Sequence, residues 1–142
     1  MRGMLLTTLL MLPLAVQAGS LNVKPGLWET TQKINGDSHN DFDCMTPEEA
    51  RDSSAFRKEI PAECKLGNVK ESATAMSFEY RCDSPTQTGT GKFDLKMASP
   101  TQYQMNYQFN GQMKMGGKSM PMAVTMEAKG RWVSADCGEH AD

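Results

Sequence analysis

The stretch from Met105 to Met126 constrains the fold more than any other part of the chain. Gly116-Gly117 is a two-residue turn of the kind tight hairpins prefer. With that turn at the tip, Met113 faces Met120, Gly111 faces Met122, Phe109 faces Val124 and Tyr107 faces Met126. Met105 and Met115 share their side, whereas Asn106, Gln108, Asn110, Gln112, Lys114, Ser119, Thr125, Glu127 and Lys129 occupy the other. Alternation at period two does not fit a helix and demands an antiparallel pair with one covered and one wet face. Pro121 has no N–H to give a ladder, but in this register it stands opposite Gln112 at a non-hydrogen-bonded position. Its strand is therefore expected to be an edge there, or interrupted.

The same period recurs on either side. Phe93, Leu95 and Met97 lead through a turn at Ala98-Ser99-Pro100-Thr101 into Tyr103 and Met105, and Arg131-Trp132-Val133 closes the last strand. Upstream, Lys24-Pro25-Gly26 is a turn or bulge, and Leu27 to Ile34 reads as a strand with Trp28, Thr30 and Ile34 on one face. Asn35-Gly36 turns it into a second strand ending at Cys44. Thr46-Pro47-Glu48-Glu49 is a capping box with proline at the first helical position, predicting a helix from Pro47 to about Lys58, with Pro61 beyond its end. Lys65–Lys70 and Thr74–Cys82 flank a turn near Glu71-Ser72-Ala73, in a register that sets Cys64 against Cys82, Leu66 against Tyr80, Asn68 against Phe78 and Lys70 against Met76. The expected fold is mainly β: a curved antiparallel sheet or small up-and-down barrel of seven to eight strands with one short helix.

The amino terminus sets the compartment. Arg2 is a short positive start, Leu5 to Val16 is apolar, and Val16-Gln17-Ala18 is a small-x-small cleavage site, so residues 1–18 read as a secretory signal. The run is too short to span a bilayer, and no cysteine follows the cleavage site to carry a lipid. The product is expected to be periplasmic or secreted, with no membrane span after cleavage and a single disulfide-stapled β domain over 19–142. With Arg2 gone, fourteen basic residues stand against seventeen acidic ones. A formal charge near −3 without clustering argues against nucleic acid and anionic membranes as partners. All four cysteines fall in the exported part, and four cysteines allow three disulfide connectivities. The strand register favours Cys64–Cys82, leaving Cys44–Cys137. None has the spacing of a zinc ribbon, and an oxidising compartment disfavours thiolate ligation.

These elements together resemble a family of bacterial exported proteins known as domain of unknown function 3617. The resemblance is carried by Lys24-Pro25-Gly26-Leu27-Trp28-Glu29, Cys44-Met45-Thr46-Pro47-Glu48, Cys64 with Cys82, Thr88-Gly89-Thr90-Gly91, the methionine alternation, and Gly130-Arg131-Trp132 leading to Cys137. It implies an exported, mostly β domain with structural cysteines, and no established activity or catalytic residues come with it.

Little in the chain suggests catalysis. His39 lies in a polar stretch and His140 in the tail, neither with the surroundings of a hydrolytic triad. Asp41 and Asp43 form a carboxylate pair, though that spacing is ordinary for a solvated strand end. Gly89 and Gly91 lack the lysine and the following helix of a phosphate loop, and glycines at a strand bend or close backbone approach explain them better. No enzyme and no cofactor are expected.

The methionines are the sharper signal: nine of twelve lie beyond residue 18, six of them from Met105 to Met126. Methionine can fill a core, form an adaptable apolar ligand face, or offer soft thioethers to Cu(I). The leading expectation is a non-enzymatic binding or accessory domain of the cell envelope. Its ligand would be an apolar small molecule resting on Tyr107, Phe109, Met113, Met115, Met120 and Met122. Two alternatives stand beside it. One is a Cu(I)-handling protein using the Met113–Met126 cluster, with Met113, Met115, Met120 and Met122 as ligands, opposed by the nearby Lys114 and Lys118. The other is an envelope assembly factor that meets another protein at the sheet edge near Pro121. Accessible sulfurs at the hairpin tip would favour metal, and covered ones a core.

Overall fold

The structure, a computed structural model, describes residues 20–58 and 60–141; the stretch 1–18 read as a secretory signal, and the cleavage expected before Gly19, lie outside the described residues. Seven antiparallel strands form one open curved sheet. They are β1 (Gly26–Ile34), β2 (Asp37–Met45), β3 (Lys65–Glu71), β4 (Ala75–Asp83), β5 (Gln87–Ser99), β6 (Gln102–Met115) and β7 (Lys118–Ser134), in the order β2-β1-β7-β6-β5-β4-β3. The sheet does not close into a barrel, because β2 and β3 are opposite edges and do not pair.

The β6–β7 hairpin keeps the register expected from Gly116-Gly117 throughout, from Met115 opposite Lys118 to Gln102 opposite Arg131. Both turn glycines have positive φ, +56° and +79°, as this turn requires. β1 covers β7 only from Met126 onward, so β7 has a free edge where Pro121 sits.

The β3–β4 register begins as expected, with Leu66 opposite Tyr80, and then slips by one residue. Lys70 faces Ser77, not Met76, and Asn68 does not face Phe78. The cause is a bulge at Asn68-Val69. Asn68 takes φ +50°, which asparagine tolerates, and its amide donates to Glu79 Oε2 at 2.8 Å.

The capping box is present: Glu49 N–H donates to Thr46 Oγ1 at 3.2 Å and Thr46 N–H to Glu49 Oε2 at 3.0 Å. The helix it starts, α1 (Pro47–Asp52), is however six residues long and stops well short of Lys58. It ends because Ser53 turns left-handed, φ 57° and ψ 17°, and buries its hydroxyl to donate to Glu71 Oε1 at 2.7 Å. The same carboxylate oxygen accepts the Leu21 N–H at 3.2 Å, so the amino-terminal segment, the helix end and β3 meet at one acceptor. A 3₁₀ turn, Ser54–Phe56, continues the chain.

Topology gives this connection its role. It joins the two outermost strands, so residues 46–64 must cross a sheet of seven strands, on the order of 29 Å at ~4.8 Å per spacing. It crosses the inner face, where Phe56 meets Tyr103 edge-on at 5.3 Å between ring centroids. Each end of the crossing is stapled. Cys44 binds Cys137, with Cα atoms 5.6 Å apart, and Cys64 binds Cys82, at 4.2 Å, the pairing the strand register favours.

The core fills the space between this strap and the inner face. Trp28, Met45, Met76, Phe78, Tyr80, Phe93, Leu95, Met97, Tyr103 and Phe109 come from the sheet, and Leu21, Val23 and Ala50 cover them. Two glycines on that face let tyrosine rings lie flat across the sheet. Tyr80 crosses Gly91 to stack on Tyr107 and Phe109, at 5.6 and 5.8 Å. Tyr103 crosses Gly130 to reach Thr30, its hydroxyl 3.1 Å from Thr30 Oγ1, and packs on Trp28 at 5.4 Å.

Candidate functional site

Between the strap and the β1–β7–β6 part of the inner face the core opens into a cleft of about 690 Å³. β1 contributes Trp28 and Ile34, β6 contributes Tyr103, Met105 and Tyr107, and β7 contributes Val124 and Met126; the strap closes over them with Ala55, Phe56 and Ile60. These strand residues share one face because they alternate at period two in paired strands. Charged side chains also line it: Asp41 and Asp43 from β2, and Lys58 from the strap. Lys58 is paired with Glu49, whose carboxyl is held below its ordinary range chiefly by that hydrogen bond.

Two tyrosines of this face are electrostatically unusual. Burial pushes the Tyr103 hydroxyl above its ordinary range; its bond to Thr30 works against that shift and the Asp43 carboxylate adds to it. Tyr80 is pushed further up, first by burial and then by the neighbouring Tyr107 hydroxyl. Both are built to stay neutral. Neither histidine lines the cleft, and His140 instead stacks on Phe42 with ring centroids 5.5 Å apart. Among the described residues no three His, Cys, Asp or Glu side chains are placed to share a metal, and no helix is long and apolar enough to cross a membrane.

The six residues singled out in the sequence divide into three settings. Tyr107 lines the cleft. Phe109 is buried in the core beneath Tyr80. Met113, Met115, Met120 and Met122 lie outside the cleft on the far end of the β6–β7 hairpin, where Met113, Met115 and Met120 are 36%, 58% and 50% exposed and Met122 is partly buried. The split follows from strand length. β5 reaches β6 only as far as Met113, and β1 reaches β7 only at Met126, so the tip projects past both neighbours. Of the clustered methionines, Met105 and Met126 line the cleft, and these, with the strap residues Phe56 and Ile60, are what the sequence reading passed over.

The motifs that carried the family resemblance turn out to be joints of the scaffold. Trp28 Nε1 donates to the Lys24 carbonyl at 2.9 Å and Trp132 Nε1 to the Pro25 carbonyl at 3.0 Å. The Lys24 ammonium lies 3.7 Å from the Trp132 ring centroid, and Arg131 pairs with Glu29. Gly26, at φ +135°, has no room for a Cβ beside Ser134 and Trp132. The Lys-Pro-Gly-Leu-Trp-Glu and Gly-Arg-Trp segments are thus two halves of one clasp holding β1 to β7. In Thr88-Gly89-Thr90-Gly91, Gly89 faces Gly111 at a backbone approach too close for a side chain, within a strand, as the close-approach reading expects.

A family model described as a protein of unknown function (DUF3617) matches residues 23–137. Comparison with the curated proteins and with the solved structures returned no match.

Proposed function

Since the chain belongs to the DUF3617 family, which carries no assigned activity, we propose from the cleft that it is an exported, non-enzymatic binding protein for an apolar small molecule. The observation that carries this reading is the cleft itself. At about 690 Å³ it falls in the range of small-molecule sites, and it has the makeup such sites share: aromatic and aliphatic walls with a few polar groups. Export is supported by the two disulfides, which form and persist in oxidising compartments. They also anchor both ends of the strap that roofs the cleft, giving the cavity a fixed span.

Native mass spectrometry of the exported protein, followed by titration with the neutral apolar dye N-phenyl-1-naphthylamine, tests the proposal. The expected result is an endogenous adduct or saturable dye uptake, abolished in a Val124→Trp variant that fills the cleft while keeping its β-type circular dichroism. Bare protein that takes up no dye, or equal uptake by the filled variant, refutes it.

A further inference from the structure

We propose that the tip of the β6–β7 hairpin is a Cu(I) site built on the thioethers of the facing pair Met113 and Met120, with Met115 or Met122, which flank that pair on opposite sides, as the third donor. It is separate from the cleft, none of whose lining it shares.

Exposure is the first argument. On the inner face apolar side chains are buried wherever neighbouring strands and the strap cover them, yet at the tip Met113, Met115 and Met120 remain 36–58% exposed. Methionine used as core filler would be covered, and these residues are open to solvent. Register is the second. Met113 stands directly opposite Met120, Met115 is diagonal to Met120, and Met122 is diagonal to Met113, all on one face. Opposite residues hold their Cβ atoms about 4.5–5.5 Å apart and diagonal ones about 7–8 Å. The unbranched, flexible methionine side chain lets a sulfur reach across such gaps. Met115 and Met122, four residues apart along the ladder (about 14 Å at ~3.4 Å per residue), are too distant to share one ion, so three donors converge. Gly111, opposite Met122, and the turn glycines Gly116 and Gly117 add no side chains to crowd an ion.

The donor set then chooses the ion. Neutral, soft thioethers suit Cu(I), whereas Zn(II) asks for thiolate, imidazole or carboxylate. All four cysteines are in disulfides, so thiolates are not in competition. Lys118, opposite Met115 on the same face, adds positive charge that weakens attraction for any cation. An ion held here depends on soft bonding and not on charge. The ion enters and leaves as Cu(I), so no electron is transferred.

The test uses the intact, disulfide-bonded protein, with anaerobic Cu(I) titration against the competing chelator bicinchoninate and stoichiometry from native mass spectrometry. One Cu(I) per chain is expected, with no uptake of Zn(II). A Met113→Leu/Met120→Leu variant keeps volume and removes two donors. Loss of outer-shell partners alone weakens metal sites about 10–100-fold, so the variant should lose at least about tenfold. Because both residues sit on the projecting tip and leucine keeps their volume and apolarity, its thermal midpoint should move little, which separates a lost site from a lost fold. Lys118→Gln should tighten binding. Absence of Cu(I) uptake by the wild type, or wild-type affinity in the double variant, overturns the proposal and leaves the tip an exposed apolar strip.

Discussion

Replacing Gly91 with alanine tests how this sheet is packed. A Cβ at Gly91 would come within 3.0 Å of Cζ, Cε1 and the hydroxyl of Tyr80, a ring buried at 3% exposure. The ring cannot yield without leaving its stacks on Tyr107 and Phe109. Each aromatic pair is worth about 0.5–1.5 kcal/mol beyond burial, and overpacking a core costs about 1–3 kcal/mol. Gly91→Ala should therefore destabilise by about 2–6 kcal/mol. At roughly 4 °C per kcal/mol for a domain of this size, the thermal midpoint should fall by roughly 8–24 °C. Gly67→Ala is the matched control. Gly67 lies in β3 with nothing within 4 Å of a built Cβ, so alanine there should be neutral or stabilise by about 0.4–1 kcal/mol. Urea melts of Gly91→Ala in wild-type and Tyr80→Leu backgrounds complete the cycle. Without the ring, the cost of the added methyl should drop below about 1 kcal/mol. Equal costs in the two backgrounds, within about 0.5 kcal/mol, would refute the ring-over-glycine account.

Two further outcomes follow from the disulfides and the buried hydroxyls. The Cys44–Cys137 bridge closes a sequence separation of 93 residues and Cys64–Cys82 one of 18. Chain-entropy reasoning gives about 4.6 and 3.2 kcal/mol, so a Cys44→Ser/Cys137→Ser variant should unfold at lower urea than Cys64→Ser/Cys82→Ser; the reverse order would show that native contacts, not loop closure, dominate. Tyr80 and Tyr103 have folded pKa values raised above that of unfolded tyrosine. The folded chain thus holds protons that the unfolded chain releases, and this contribution is full below about pH 10 and lost as pH rises through the folded values. Urea midpoints should decline above about pH 10 while absorbance at 295 nm shows fewer than three ionised tyrosines; full ionisation of the native protein near pH 10 would contradict their burial.

Local chemistry made much of the fold legible in the sequence. A two-glycine turn with strict alternation fixes the β6–β7 register residue by residue, and the capping box fixes where α1 begins. What could not be read were events decided by distant partners. The helix ends at Asp52 because Ser53 bonds to Glu71 eighteen residues away, and no local signal marks that. The β3 register slips because Asn68 turns left-handed and its amide reaches Glu79 on the next strand. The open sheet, too, is set by the strap: apolar residues in the β2–β3 connection cover the inner face.

The same distinction explains why the cleft was only half visible. Alternation tells which face a residue occupies but not whether a neighbouring strand extends far enough to cover it. Tyr107 and Met113 share a face and a strand, yet Tyr107 sits where β1, β7 and the strap converge, whereas Met113 sits where β5 gives out. One run of methionines consequently serves two environments: Met105 and Met126 in a roofed cleft, and Met113, Met115, Met120 and Met122 on a projecting tip. Because the two groups lie in separate places, leucine at Met113 and Met120 should leave dye binding in the cleft intact, and tryptophan at Val124 should leave copper binding at the tip intact. Loss of both activities from either change would mean the hairpin and the cleft form a single site, and the division argued from strand lengths would be wrong.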